Sequence, residues 1–501
     1  MAELDNWPRE IYSTEQVRAC DRKAIAELGI EGFELMQRAA RAALQWLQAK
    51  WPGTRSVGIF CGAGNNAGDG YVLAALAAQR GLQVQVFAVG DPDQLRGDAA
   101  SAVRLAQEAS VPIVPFVAAD ASGEFDLVVD ALLGTGLTRE VEGKFAQAVG
   151  AINAYHCPIL ALDVPSGLES DTGAIKGVAV AASATITFVG LKSGLYLGQG
   201  PGCRGELAFA DLDLPAAAYA GAAPVMRRID PADRSKLLKP RAAMAHKGSH
   251  GRLLVVGGAP GMAGAARLAA EAGLRAGAGL VYAAVAPDSI GQVAAGRPEI
   301  MCRAVTAAEQ LGDLAQTVDV VVVGPGLGGE SWGRDLAAAI LQIDRPLVVD
   351  ADALNYLARH RQQRSQWVIT PHPAEAGRLL GRSAAEVQAD RLGAVTALAG
   401  EFAAIAVLKG ACSLVAQLTD NKDFNVSVCD HGNPGLATGG TGDVLAGLIG
   451  GLIAQYGLSQ HVVEIAVLIH ALAGDHAAAA GQRGMIASDL FPYIRLLVNP
   501  D

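Results

Sequence analysis

His431-Gly432-Asn433-Pro434-Gly435-Leu436-Ala437-Thr438-Gly439-Gly440-Thr441-Gly442-Asp443 runs directly into an apolar stretch of small residues, Val444 to Ala454. Glycines at 439, 440 and 442 permit positive φ and let backbone approach a ligand closely. The apolar stretch predicts a buried helix, which puts Gly442-Asp443 at its N-terminus. Unpaired N–H groups and the helix dipole at that end favour an anion such as phosphate. Asp443 there either caps the helix or acts as a base beside the phosphate. A lone Gly-Asp pair would read as a plain cap. Three glycines, two threonines and a buried helix together favour a phosphate site.

Working outward, apolar segments upstream each end in a loop with polar groups. Ile405–Leu408 runs into Lys409-Gly410-Ala411-Cys412-Ser413. Trp367–Thr370 runs into Pro371-His372-Pro373-Ala374-Glu375. Pro346–Asp350 leads to Asp350-Ala351-Asp352-Ala353-Leu354-Asn355, and Val318–Val323 to Gly324-Pro325-Gly326-Leu327-Gly328. Arg252–Val256 is followed by a Gly/Ala-rich segment that becomes helical to Arg275, and another strand starts near Leu280. Strands alternating with helices predict an α/β domain. Lys409, between an apolar strand and a glycine, reads as a phosphate or nucleotide contact. His372 and Glu375 could orient a substrate or a magnesium–water shell; a turn histidine exposed to solvent fits His372 equally well.

The first half repeats this logic. Thr14 reads as the N-cap of a helix carrying Val17, Cys20, Ala24 and Leu28, and a second helix spans Glu31 to Lys50. The strand Ser56–Cys61 enters Gly62-Ala63-Gly64-Asn65-Asn66-Ala67-Gly68-Asp69-Gly70, with a helix expected over Tyr71–Gln79. Strand, glycine loop, helix is the layout of a phosphate-binding turn, although the glycine spacing is not that of the dinucleotide fingerprint. Gln83–Val89, Val111–Val117, Asp126–Asp130, Pro158–Leu162, Thr185–Phe188 and Leu207–Ala210 follow as strands, predicting a doubly wound parallel sheet. Two of them end in Asp130 and in Asp163-Val164-Pro165-Ser166-Gly167. Ligands in such sheets bind at the carboxyl ends of strands. Asp130, Ser166 and the Asn66 side chain are oxygen donors suited to a hard monovalent or divalent cation. Periodicity is lost from Leu214 to Lys239, which places a boundary near 225 and gives domains 1–225 and 226–501.

Bulk properties bound the function. A chain of 501 residues supports more than one domain, and 51% hydrophobic residues supply ample core. The 40 basic against 50 acidic residues give a net charge of −10, which argues against nucleic acid or a membrane surface as partner. Seven scattered cysteines without a C-x-x-C pair fit a reducing compartment. Met1 to Asp5 lacks the basic and apolar regions of a secretion signal, and no apolar run approaches the ~18 residues of a membrane span. A cytoplasmic protein is the expectation.

The motifs resemble known families. Gly439-Gly440-Thr441-Gly442-Asp443 resembles the ribokinase-like superfamily. Lys247-Gly248-x-x-Gly251, Gly324-Pro325-Gly326-Leu327-Gly328, Asp350-Ala351-Asp352-Ala353-Leu354, Thr370-Pro371-His372-x-x-Glu375 and Asn433-Pro434-x-x-Ala437-Thr438-Gly439-Gly440 look like NAD(P)H-hydrate dehydratase. Gly64-Asn65-Asn66-x-Gly68-Asp69-Gly70, Asp130 to Gly136 and Asp163 to Gly167 look like NAD(P)H-hydrate epimerase. Together they resemble the bifunctional repair enzymes of hydrated NADH and NADPH. Ala67 departs from the pattern, which commonly has glycine there.

The resemblance implies an N-terminal Rossmann-like domain that interconverts the R and S hydrates. It implies a C-terminal ribokinase-like domain that dehydrates the S hydrate using ADP. Carried over by motif, Asn65, Asn66, Ala67, Gly68 and Asp69, with Gly134, Thr135, Gly136, Leu137, Thr138, Arg139 and Glu140, would hold the hydrate in the first domain. Asp163 would contact it as candidate acid/base. Asn66, Asp130 and Ser166 would bind potassium. In the second domain Ala265, Gly326, His372 and Asp443 would contact the hydrate, with Gly264 or Ala263 as alternatives to Ala265. Lys409, Gly410, Ala411, Cys412, Ser413 and Gly442 would contact ADP or ATP carrying magnesium, and Asp443 would be catalytic. A homo-oligomer is the expected assembly. The rival readings are a small-molecule kinase with an accessory nucleotide-binding domain and a non-catalytic nucleotide sensor.

Overall fold

The computed structural model describes residues 7–118 and 123–499. The Met1–Asp5 stretch read for a targeting signal lies outside them. The chain divides into two compact units between Met226 and Arg227. Among the described residues no helix is long and apolar enough to cross a membrane, and all seven cysteines are free thiols.

The first unit is built on a seven-stranded, fully parallel sheet. From one edge its strands are Ile113–Pro115, Gln83–Ala88, Ser56–Cys61, Leu127–Ala131, Ile159–Leu162, Ala184–Phe188 and Glu206–Ala210. Strand order reverses between Ser56–Cys61 and Leu127–Ala131, so the loops after these two strands part and leave a crevice. The helix after the first strand spans Asn65–Gln79, six residues earlier than the expected Tyr71 start. The glycines allow this: Gly62 and Gly70 lie so close to the neighbouring strand that a Cβ would stand 1.9 Å from the Leu132 carbonyl oxygen and 2.6 Å from the Ala131 Cβ. Asn65, Asn66 and Asp69 therefore sit in the first turns of a helix instead of a loop. A second correction concerns the first helix, Thr14–Ala26, which is capped by Ser13 through a reciprocal box with Gln16. Thr14 instead bonds Ser170 and Asp171.

The second unit carries a longer sheet. Met301–Ala304, Leu280–Val285, Arg252–Val256, Val320–Val323, Leu347–Val349, Trp367–Ile369 and Ile405–Leu408 run parallel in that order. Ser413–Leu418 and Phe424–Cys429 then add an antiparallel hairpin that the sequence reading left out. In the short strand Met226–Arg228, Arg227 and Arg228 pair with Ser427 and Val428.

The helix after the glycine turn spans Thr441–Tyr456 and is buried along most of its length. Its glycines explain why. A Cβ on Gly447 would lie 1.9 Å from the Ala269 carbonyl oxygen, and one on Gly450 2.5 Å from Val322. The helix thus lies against helix Ala263–Ala276 on one side and the central strands on another, at distances only glycine permits.

Candidate functional site

In the second unit, strand ends converge on the start of helix Thr441–Tyr456. Gly440 supplies the turn with φ 93°. Thr441 donates its hydroxyl within reach of the Leu436 and Thr438 carbonyls, and half-buried His470 contacts the Thr441 carbonyl through Nε2 at 2.9 Å. Burial holds the His470 imidazolium form down, to a pKa of about 4, so this contact is made by a neutral ring.

Lys409, at the end of Ile405–Leu408, donates to Asp350 Oδ1 at 2.9 Å and lies 3.8 Å from Glu375 Oε2. Its Nζ would stand 3.5 Å from a Cβ on Gly442. Burial works against this ammonium, but Asp350, Glu375 and Asp443 outweigh it and hold its pKa above the ordinary value. Asp350 is almost fully buried and also accepts from the Thr370 hydroxyl at 2.8 Å, which fixes the lysine's partner. Asp443, one residue past Gly442, is pushed up to about 7 by burial and then by Asp350, with Asp352 and Glu375 adding and Lys409 opposing. The result is an ammonium and a carboxyl poised near neutrality at a helix N-terminus. That set can hold a phosphoryl group and take a proton from a hydroxyl.

The remaining residues of this site divide. Gly326 (φ 60°) packs against Ala265, where a Cβ on the glycine would be 3.1 Å from the alanine's, so these two are brought together. His372 is the N-cap of helix Pro373–Leu380: its Nδ1 accepts from the Ala374 and Glu375 amides, and the His372 N–H donates to Glu375 Oε2. Burial, then Lys409, keeps its pKa below the ordinary imidazole value. Gly410 and Ala411 are exposed, Cys412 is buried, and Ser413 opens a strand. Buried Arg391 organises this loop from beneath, reaching the Leu408 and Cys412 carbonyls at 3.4 and 2.9 Å. Arg391 and His470 were not singled out from the sequence. Each lies on a helix remote in the chain, with no local signal.

In the first unit a cavity of about 970 Å3 opens at the crevice. Asn65, Asn66, Asp69, Gly134, Thr135, Gly136, Leu137, Arg139, Glu140 and Asp163 line it. Ala67 and Gly68 are buried beneath it, and Thr138 is not in its wall. Asp130 and Ser166 lock the two loops together: Asp130 accepts from the Ser166 amide at 2.7 Å and from its hydroxyl at 2.6 Å. Burial pushes the Asp130 carboxyl up to about 6 against those bonds. Asn66 is buried beside Gly134, with neither amide oxygen nor amide nitrogen bonded to protein. An orphaned buried amide, with a carboxylate and a hydroxyl at the ends of neighbouring strands, supplies the oxygen donors that a hard cation takes.

Asp163 has φ 66°, unusual for a side chain-bearing residue, and its carboxylate accepts from Thr187 and Phe188 at the end of the neighbouring strand. It forms an ion pair with Lys192. Lys192 is held by strand Leu191–Lys192, whose partner is Glu10–Tyr12, with Tyr12 opposite the lysine. Asp21, from the first helix, shares the cavity wall. Lys192 and Asp21 were not assigned from the sequence; a lysine buried just after an apolar strand was the available signal for the first.

Residues 32–194 match the family described as the YjeF-related protein N-terminus, and residues 253–496 match NAD(P)H-hydrate dehydratase. The bifunctional NAD(P)H-hydrate repair enzyme Nnr of Coxiella burnetii is 44% identical, over 98% of this chain and 99% of that protein. The Escherichia coli enzyme of the same name is 40% identical over 99% and 95%. A ribokinase-like superfamily protein of solved structure from Enterococcus faecalis superposes with a TM-score of 0.51 at 25% identity, covering 55% of this chain and 95% of that one. With both halves matched in order and nearly the whole length aligned to such relatives, the chain belongs to the bifunctional NAD(P)H-hydrate repair enzymes.

Proposed function

We propose that this protein returns hydrated NADH and NADPH to use in two steps, epimerising the R and S hydrates in its first unit and dehydrating the S hydrate in its second. The observation that carries the second step is Lys409 Nζ facing Gly442 beside Asp443 at a helix N-terminus. Asp443 takes the proton of the hydrate's hydroxyl as its oxygen attacks the terminal phosphoryl group of ADP. The Gly439–Gly442 backbone and Lys409 stabilise the charge that develops on that group. Phosphate then leaves with its bonding electrons, and loss of the adjacent ring proton restores the double bond. Ala265, Gly326 and His372 border the hydrate, and Lys409 to Ser413 with Gly442 border the nucleotide.

Magnesium would come with the nucleotide and supply positive charge beside the phosphoryl group that Lys409 faces. Among the described residues no three His, Cys, Asp or Glu side chains group to hold a metal ion. In the first unit Asn66, Asp130 and Ser166 would hold potassium, which supplies a fixed positive charge at the strand ends. Asn65 to Asp69 and Gly134 to Glu140 hold the hydrate, with Asp163 as acid/base. Seven free thiols fit a reducing compartment such as the cytoplasm.

The test is to incubate the chain with ADP and hydrated NADPH and follow the absorbance of the reduced ring. Recovery of the S hydrate at once, and of the R hydrate through the first unit, is expected. Stable phosphorylated product without reduced cofactor would instead make the second unit a kinase. A run with ATP decides the nucleotide.

A further inference from the structure

Among the carboxyl groups lining the first unit's cavity, three from different elements act on one another electrostatically. Asp21 comes from helix Thr14–Ala26, Asp69 from helix Asn65–Gln79, and Asp163 from the loop after strand Ile159–Leu162. They share one ammonium, and it is fully engaged. Lys192 has three N–H groups, and its acceptors are Asp163 Oδ1, the Thr187 hydroxyl at 3.0 Å and the Phe188 carbonyl at 2.6 Å. None is left to protonate or bond a substrate, so Lys192 serves Asp163.

The carboxyls differ in their surroundings. Asp163 Oδ1 accepts from Lys192 and, at 3.3 Å each, from the Thr187 hydroxyl and the Phe188 amide. Among the described residues the Asp69 side chain has no hydrogen-bond or ion-pair partner. Burial, then Asp163 and Asp21, pushes it well above the usual carboxylate range, which favours its protonated form. Buried Asn66, three residues before it, also presents an unpartnered amide at this cavity. The cavity lining thus offers a lysine-paired carboxylate and, separately, an unpaired carboxyl whose protonated form is favoured.

This matches the two atoms of a hydrated nicotinamide ring that must exchange protons if the ring opens. The hydroxyl carbon C6 is bonded to ring nitrogen N1. Loss and return of water would need an acid at the hydroxyl and no group at N1. Resting on the epimerase reading above, we propose that Asp163 and Asp69 are the base and the acid of a ring-opening epimerisation, with Lys192 as a positioning residue. Asp163 takes the hydroxyl proton, the oxygen's electrons form a C6 carbonyl, the C6–N1 bond breaks with its electrons on N1, and Asp69 protonates N1. Rotation about C5–C6 turns the carbonyl over. N1 then adds to its opposite face, and both protons return. No oxidant or second substrate is needed.

The experiment uses the full chain without nucleotide, which keeps the second unit silent. Isolated S hydrate is supplied in 18O-labelled water, and the R hydrate formed is separated and weighed by mass spectrometry. Wild-type protein is expected to form R hydrate that keeps its unlabelled hydroxyl. Asp69→Asn should slow its formation by about 100-fold or more, with Asp69→Glu recovering part of the rate. Lys192→Met should lower kcat with KM little changed, and Lys192→Arg should recover part of it; a purely structural lysine would move both constants together. Labelled R hydrate overturns the ring-opening route. Asp69→Asn within about threefold of wild type, or Asp21→Asn taking the loss in its place, overturns the assignment of the acid. Wild-type protein no faster than the spontaneous reaction would defeat the epimerase reading itself, a different outcome from either.

Discussion

Each unit places a glycine-rich helix start at the carboxyl ends of parallel strands, and the two are put to different chemistry by what faces them. At Asn65–Gln79 the facing groups are carboxyls and an ammonium whose three N–H groups are all engaged by protein. At Thr441–Tyr456 the facing group is Lys409, tethered by Asp350 yet close to Gly442. The first arrangement moves protons within a bound molecule. The second holds an anion and takes a proton from a hydroxyl beside it. The glycine turn supplies the backbone opening in both units; the charged side chains arriving from other strands set the reaction.

The contrast breaks most sharply at Asp443. Asp443→Ala is expected to lower nucleotide-dependent recovery of reduced cofactor by about 1000-fold, while titration calorimetry still detects nucleotide. Epimerisation without nucleotide should continue in the same sample. Turnover within tenfold of wild type would remove Asp443 from the chemistry.

Next comes Asp350→Ala. It frees Lys409 from a partner 2.9 Å away and leaves the Thr370 hydroxyl without its carboxylate acceptor. A loss of about 10- to 100-fold in dehydration is expected, on the order of 1.4–3 kcal/mol. An unchanged rate would mean that the lysine finds its place without the aspartate.

The pH dependence separates the units further. Dehydration should rise as pH passes through about 7, where Asp443 loses its proton to become a base. The sign for stability is opposite. A carboxyl whose folded pKa is raised favours the fold fully below its unfolded value, and that contribution is lost as pH rises through about 7. Asp443→Asn should therefore be more stable than wild type in denaturant unfolding at pH 8, by on the order of 2–4 kcal/mol, with the gain shrinking toward pH 4. A variant less stable than wild type at pH 8 would contradict the buried, acid-crowded environment.

The smallest effects compare helix packing. Gly447→Ala would bring a methyl 1.9 Å from a backbone oxygen, whereas Gly68→Ala meets first the flexible end of Met36 at 2.5 Å. The first should cost about 1–3 kcal/mol in denaturant unfolding and the second less. Equal costs would show that the two helices are gripped alike.

Much of this was legible from the chain. Apolar strands ending in glycine- and aspartate-bearing loops gave the α/β class and marked Asp163, Lys409 and Asp443. Boundaries were less legible: both functional helices begin inside the glycine motifs, because close approach to neighbouring backbone stabilises a start that local propensity disfavours. Ser13 displaced Thr14 as cap because Thr14 has a better partner in Asp171, 157 residues away.

The sequence by itself determined which residues can carry chemistry and on which strand ends they lie, since glycine turns and apolar runs act through local conformation and burial. Tertiary structure alone decided their charge states and partners. Lys192 meets Asp163, Asp350 holds Lys409, and Arg391 and His470 brace loops from behind because sheet order brings distant segments within a few ångströms. Asp443 becomes a base near neutrality only where burial and three other carboxyls surround it. No single stretch of the chain contains that field.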